Sequence, residues 1–356
     1  MYSLLDCRSA FHQNELHPAS QHYFTFATPS GRYVWQRMPM GAKIAPEVFR
    51  RLLSNLLGDI PRTFVFYDDI LIAGESQEDH DEILNSVLQK LVEKGITLNK
   101  DKCQFAQERI EFLGHTLTTT GIFPAESKIQ CILEMTEPQT KIQLRSFLGL
   151  ATYVGQKFVP NFASLAAPLW KLCSKDVVFE WTNDASYAFR SLKEAIGKIT
   201  GTVWFDLRKD VVIQTDASAE GLGCVLLQNN KPVAYGSRRL SDCETRYSVI
   251  EKEFLSIVYA LKKFRRLILF NTCLVQTDHK PILGLLEKQL DKLPLRIQKW
   301  IIQIQAFDLR FEYLAGSQNI VSDALSHNSI SSKDYLEEDD LGCRVHTVFH
   351  PTMCAY

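Results

Sequence analysis

Two carboxylates stand side by side in Phe66-Tyr67-Asp68-Asp69, between the apolar runs Thr63-Phe64-Val65 and Ile70-Leu71-Ile72-Ala73. Strand formers flanking a polar pair predict a β-hairpin with its charge at the turn. Adjacent carboxylates repel unless a cation lies between them, and a hard divalent ion such as Mg²⁺ takes oxygen ligands of this kind. A third acid, Asp6, closes the short apolar run Tyr2-Ser3-Leu4-Leu5. If both strands share a sheet, Asp6, Asp68 and Asp69 converge on a metal site suited to phosphoryl transfer. Helix capping by Asp6 and plain turn chemistry at Asp68-Asp69 are the simpler alternatives.

A second acid set lies in the C-terminal half. Asp216 ends the run Val211-Val212-Ile213-Gln214-Thr215, and Asp278 ends Cys273-Leu274-Val275-Gln276-Thr277. Glu253 opens the apolar stretch Phe254 to Leu261, and Asp323 sits in Asn319-Ile320-Val321-Ser322-Asp323-Ala324-Leu325. Two strand-end aspartates, a helical glutamate and a late aspartate fit the needs of a two-metal phosphodiester hydrolase. Strand-terminal capping is the alternative for Asp216 and Asp278. Glu251 competes with Glu253, but residues two apart on a helix do not share a face.

These acids must be positioned by several elements. Tyr23 to Thr28 and Tyr33 to Trp35 read as strands around the turn Pro29-Ser30-Gly31. Pro46 to Leu57 and Asp79 to Lys94 read as helices, the second stopped by Gly95. Ile96 to Leu98 and Ile110 to Leu117 read as strands. Residues 123–200 are mainly helical, strongest over Leu144–Phe158 and Ala185–Ile196. A three-strand meander begins near Val211, a long helix runs from about Ser248 to Phe264, and strands follow at Cys273–Asp278 and Phe307–Tyr313.

At 356 residues the chain exceeds one core and predicts two or three domains. With 46% hydrophobic and 23% charged residues it is globular, and its net charge of -1 leaves room only for a local basic groove. Nine cysteines without a CxxC pair predict free thiols in a reducing, intracellular setting. No apolar run approaches the roughly 20 residues that span a bilayer, so no membrane partner is expected. Asp334 to Asp340 reads as a solvated acidic tail, and the order of Cys343, His346, His350 and Cys354 argues against a zinc site.

The wording around the first acid set resembles the reverse transcriptase of gypsy-type long-terminal-repeat retrotransposons. The matching segments are Leu5 to Gln13, Met38-Pro39-Met40-Gly41 with Ala45-Pro46, Phe66-Tyr67-Asp68-Asp69, Lys102-Cys103-Gln104-Phe105, Glu111 to His115 and Leu144 to Leu150. The second set resembles the ribonuclease H domain of the same elements, through Thr215-Asp216-Ala217-Ser218, Tyr247-Ser248 to Glu253, Thr277-Asp278-His279-Lys280-Pro281 and Asn319 to Ser326. The resemblance runs in order from residue 1 to about 330.

The resemblance implies an α+β and α/β multidomain chain. Its parts are a partial reverse transcriptase fingers/palm at 1–122, a thumb and connection at 123–204, and a ribonuclease H-like mixed-sheet domain at 205–330. A disordered acidic tail at 331–356 follows. It implies metal ligation by Asp6, Asp68 and Asp69, and separately by Asp216, Glu253, Asp278 and Asp323, with Mg²⁺ or alternatively Mn²⁺. Phe11 would exclude a 2′-hydroxyl beneath the incoming sugar. Gly41, Lys43 and Pro46 would shape the nucleotide wall, Gly114 would lie near the primer terminus, and Arg8 and Lys102 would meet phosphates. Glu251 would be a surface residue. The implied partners are RNA template, DNA primer, RNA–DNA hybrid and deoxynucleoside triphosphates, with other element-encoded proteins in homo- or hetero-oligomers within cytoplasmic particles. The family has further residues before the position of Asp6, so an N-terminally truncated copy is expected, with ribonuclease H the better preserved activity. A catalytically inactive nucleic-acid-binding remnant is the alternative.

Overall fold

A computed structural model describes residues 1–159, 162–174, 177–218, 221–241 and 243–314. Asp323, the acidic tail and its Cys and His residues lie outside the described residues. The described residues divide into two units: Met1–Leu113 with Leu117–Thr119, and Gly114–Thr116 with the described residues from Thr120 to Leu314.

In the first unit the chain runs β1 (Tyr2–Asp6), α1 (Pro18–Gln21), β2 (Thr25–Thr28), β3 (Gly31–Val34), α2 (Ala45–Leu57), β4 (Thr63–Phe66), β5 (Asp69–Ala73), α3 (Gln77–Lys94), β6 (Gln104–Gln107) and β7 (Arg109–Phe112). The central sheet has the order β4-β5-β1-β6. Alternation along β5 and β1 sends Leu5, Ile70 and Ile72 to one buried face. They pack there with Phe49, Leu53 and Leu57 of α2 and Ile83, Val87 and Leu91 of α3. Ser76 caps α3 by accepting the Asp79 N–H at 3.2 Å, and Gly95 closes it at φ +73°. The hairpin β2–β3 turns at Pro29-Ser30, since Thr28 pairs with Gly31. Ile96 to Leu98, expected as a strand, contributes only the isolated bridge Leu98–Cys7.

The rest of the chain adds β8 (His115–Thr118), β9 (Gly121–Pro124), α4 (Glu126–Glu134), α5 (Lys141–Phe158), α6 (Phe162–Leu172), α7 (Asn183–Gly197) and β10 (Thr202–Val203), which pairs with β9. The Leu144, Phe147, Leu148 and Ala151 stripe of α5 packs with Ile132 of α4 and Phe189 and Leu192 of α7 in an apolar core.

The last part comprises β11 (Val211–Ala217), β12 (Gly221–Gln228), β13 (Lys231–Arg239), α8 (Val249–Lys263), α9 (Arg265–Ile268), β14 (Cys273–Thr277), α10 (Pro281–Leu286), α11 (Leu295–Ile304) and β15 (Leu309–Tyr313). The sheet order is β13-β12-β11-β14-β15. β11, β12 and β13 are antiparallel neighbours, whereas β14 runs parallel to β11 and β15 parallel to β14. Asn229 and Asn230 take φ of 51° and 57°, the double left-handed turn that joins β12 to β13. α8 bridges the chain from β13 towards β14 and packs over β11 and β12. α10 and α11 are helices beyond those expected above, although Ile297, Trp300, Ile301 and Ile304 of α11 recur at helical spacing.

Candidate active site

Asp216 and Asp278 owe their closeness to register. Thr215 of β11 pairs with Thr277 of the parallel neighbour β14, so Asp216, still within β11 and opposite Gly223 of β12, and Asp278, just past the end of β14, come side by side at the C-terminal ends of the two strands. Two residues upstream, Gln214 donates to Gln276 at 3.1 Å and Gln276 donates to Glu312 at 2.8 Å, locking the three parallel strands in that register. The third acid comes from α8. Glu253 lies on its buried face beside Phe254 and Leu255, five residues into the helix.

Carboxylate oxygens of Asp216, Glu253 and Asp278 all lie within 4.8 Å of one another. Asp216 is 4% exposed and Glu253 5%, while Asp278 is half-buried. Carboxylates this close repel one another when ionised, and a proton or a bound cation relieves that repulsion. The donor set is all oxygen and fits a hard divalent metal. Among the described residues this is the one set of three or more acidic, histidine or cysteine side chains with that geometry.

Glu251 departs from expectation. It is not a loose surface residue: its side chain is 18% exposed and both its oxygens are engaged. Oε2 accepts the Ser248 N–H and hydroxyl, each at 2.9 Å, and Oε1 accepts Arg296 of α11 at 2.6 Å. Burial pushes its carboxyl up, but the Ser248 and Arg296 bonds outweigh that and hold it below the usual glutamate range. Ser-x-x-Glu is a legible capping box; Arg296, forty-five residues away, carries no local signal.

In the first unit, β1 and β5 are antiparallel, with Asp6 directly opposite Asp69. Phe66 pairs with Asp69 across a tight turn in which Tyr67 takes φ 54°, and the Cys7 N–H donates to the Asp68 carbonyl at 3.2 Å. The hairpin thus brings Asp6, Asp68 and Asp69 to one end of the sheet, though their oxygens are not within the mutual reach seen at Asp216, Glu253 and Asp278. Burial, then the charges of Asp68 and Asp6, push the Asp69 carboxyl up to about 6, against the opposing pull of Lys102. Lys102 Nζ lies 3.6 Å from Asp6 Oδ2. Cys103 Sγ accepts the Asp6 N–H at 3.4 Å.

Phe11 is half-buried and meets Phe49 edge-on, with ring centroids 6.4 Å apart. Gly41 has φ +87° and faces open space, and Lys43 and Arg8 are exposed. Pro46 sits in the first turn of α2. Gly114 takes φ +66°, and a Cβ there would come within 2.9 Å of the Tyr153 hydroxyl. Lys262, Arg265 and Arg266 are exposed, and Trp300 packs against the core of the second unit. No helix among the described residues is long and apolar enough to cross a membrane.

Residues 1–117 match the family "Reverse transcriptase (RNA-dependent DNA polymerase)", and residues 206–307 match "RNase H-like domain found in reverse transcriptase". The chain belongs to the reverse transcriptase and ribonuclease H region of gypsy-type retrotransposon polyproteins. It is 35% identical to the retrovirus-related Pol polyprotein from transposon 297 of Drosophila melanogaster, over 95% of this chain and 33% of that protein. It is 31% identical to the Tf2-7 polyprotein of Schizosaccharomyces pombe, over 92% of this chain and 25% of that protein. The chain therefore spans a third or less of these curated relatives. Among solved structures, the foamy viral protease-reverse transcriptase dRH in complex with double-stranded DNA is similar, with TM-score 0.78, 25% identity, and coverage of 88% of this chain and 56% of that one. The same enzyme in complex with an RNA/DNA hybrid gives TM-score 0.74 at 25% identity, covering 88% of this chain and 44% of that one.

Proposed function

We propose that this reverse transcriptase–ribonuclease H chain hydrolyses the RNA strand of RNA–DNA hybrids at Asp216, Glu253 and Asp278. The observation that carries this reading is the mutual reach of those three carboxylates at the edge of a ribonuclease H-like sheet. Asp323 is proposed as the fourth acid. Magnesium, with manganese as the alternative, would when bound prepare a water for attack on the phosphodiester and stabilise the departing 3′-oxygen. Asp216 and Glu253 would contribute ligands from a water-poor setting, and Asp278 is half-buried. The relative crystallised with an RNA/DNA hybrid supports a hybrid as the substrate.

The pairing of Asp6 with Asp69 supports a second reading on the same chain, RNA-directed DNA synthesis from deoxynucleoside triphosphates on an RNA template and DNA primer. There Asp6, Asp68 and Asp69 serve as metal ligands, Phe11 excludes the 2′-hydroxyl, and Gly41 and Lys43 border the nucleotide.

The test is cleavage of a labelled hybrid in Mg²⁺ by the whole chain, with Asp216→Asn as control. Cleavage lost in the variant supports the nuclease; a wild-type chain inert in Mg²⁺ and in Mn²⁺ sinks it. Primer extension with Asp68→Asn as control tests the polymerase, and weak or absent extension is the expected result. Robust Asp68-dependent synthesis would raise the polymerase to equal standing.

A further inference from the structure

The N-terminal turn of α8 is tied to α11 through one side chain, two residues before Glu253. Glu251 uses Oε2 to hold the Ser248 N–H and hydroxyl, closing its own helix, and Oε1 to receive the Arg296 guanidinium at 2.6 Å. The same guanidinium lies over the Tyr247 ring, its Cζ 3.9 Å from the ring centroid. Tyr247 in turn meets Trp300 of α11 at 6.2 Å, and Trp300 stacks on Phe254 at 6.0 Å with planes 10° apart. Phe254 is the residue that follows Glu253. Tyr247, Trp300 and Leu255 also pack in one cluster with Ala217 and Leu222, so the clamp reaches the strand residue that follows Asp216.

We propose that Glu251 and Arg296 are positioning residues for Glu253, setting the start and rotation of α8 so that the Glu253 carboxylate meets Asp216 and Asp278. This rests on the ribonuclease H reading of that acid set. Neither residue touches the acids, and the effect passes through the backbone of the first helical turn and the Phe254–Trp300 stack. A charged pair joined to a capping box fixes helix start and helix neighbour together, which an apolar contact alone does not. Partners that orient metal-binding side chains typically matter by about 10–100-fold in metal affinity or activity.

The test uses the whole chain with Glu251→Gln, Arg296→Gln and Arg296→Lys beside wild type and Asp216→Asn. Two readouts are taken: Mn²⁺ affinity by calorimetry, counted as the part lost in Asp216→Asn, and hybrid cleavage resolved into kcat and KM. In Glu251→Gln and Arg296→Gln the Asp216-dependent Mn²⁺ affinity falls by about tenfold and kcat falls by about 10–100-fold. KM for the hybrid stays within about twofold, and Arg296→Lys recovers most of both losses. A lowered melting temperature with Mn²⁺ affinity and kcat unchanged overturns the proposal, because the clamp would then be a plain stability element. A wild-type chain that binds Mn²⁺ through Asp216 but cleaves no hybrid sinks the nuclease reading alone, and the change in Mn²⁺ affinity still decides for or against the positioning role. Absence of Asp216-dependent Mn²⁺ binding overturns both.

Discussion

Asp216 and Glu253 are almost wholly withdrawn from water, and burying ionised carboxylates together is costly unless a cation joins them. A divalent metal bound there would stabilise the folded chain through these acids. Adding Mg²⁺ is expected to raise the melting temperature of the wild type, by about 2.7 kcal/mol of stability at a hundredfold excess over the dissociation constant. In Asp216→Asn that gain shrinks, which a thermal melt with and without EDTA measures. Asp69 makes a different prediction. Its folded carboxyl titrates near 6 and its unfolded one near 3.8, so the folded state holds the proton more tightly. The stability this lends is full below about pH 3.8 and is lost as pH rises through 6. Asp69→Asn is thus expected to melt at a higher temperature than wild type at pH 7.5 without metal, with the difference vanishing near pH 4. For a half-buried group screened by solvent the gain is about 1 kcal/mol. Melting curves across that range, in EDTA, check the sign.

At the level of elements, the sites depend on close approaches that a local reading does not reveal. Gly74 follows β5 in the short link to α3, and a Cβ there would stand 2.4 Å from the His80 Cβ and 2.6 Å from its backbone nitrogen. Its N–H and carbonyl also exchange hydrogen bonds with Met1, each at 2.9 Å. Gly74→Ala is expected to destabilise the first unit by about 1–3 kcal/mol through overpacking, read by denaturant melts. The strand–turn–strand around Asp68-Asp69 was legible because apolar alternation and a polar turn coincide there. The preference for Glu253 over Glu251 rests on the ribonuclease H resemblance, which implies a glutamate directly before an apolar run such as Phe254 to Leu261, and Glu253 is the one that joins Asp216 and Asp278. The register that sets Asp6 against Asp69, and Asp216 beside Asp278, was not legible, because strand pairing at a separation of sixty residues is decided by the whole sheet. The clamp of Glu251 by Arg296 was hidden for a related reason: α11 carries an amphipathic pattern, but which helix its apolar face meets is chosen by packing against α8. Lys102, which the resemblance implies would meet a phosphate, lies 3.6 Å from Asp6, where it offsets negative charge.

Across the whole molecule, acid sets in two separate units share one chemical logic, with aspartates carried to one end of a sheet by neighbouring strands and, in the second set, Glu253 added from α8. They differ in closure. The set around Asp216 has its oxygens within common reach of a cation, whereas Asp6, Asp68 and Asp69 share a sheet end without that convergence. The net charge of -1 means that any grip on a nucleic-acid backbone comes from local groups such as Lys262, Arg265 and Arg266 rather than from a global field. The most direct measurement is the initial rate of RNA cleavage in an RNA–DNA hybrid by the whole chain in Mg²⁺, compared with Asp216→Asn. Cleavage by the wild type, reduced at least about 10²-fold in the variant, is the expected result. Equal rates in the two proteins, or no cleavage by the wild type in either Mg²⁺ or Mn²⁺, would contradict the assignment of Asp216, Glu253 and Asp278 as a hydrolytic centre.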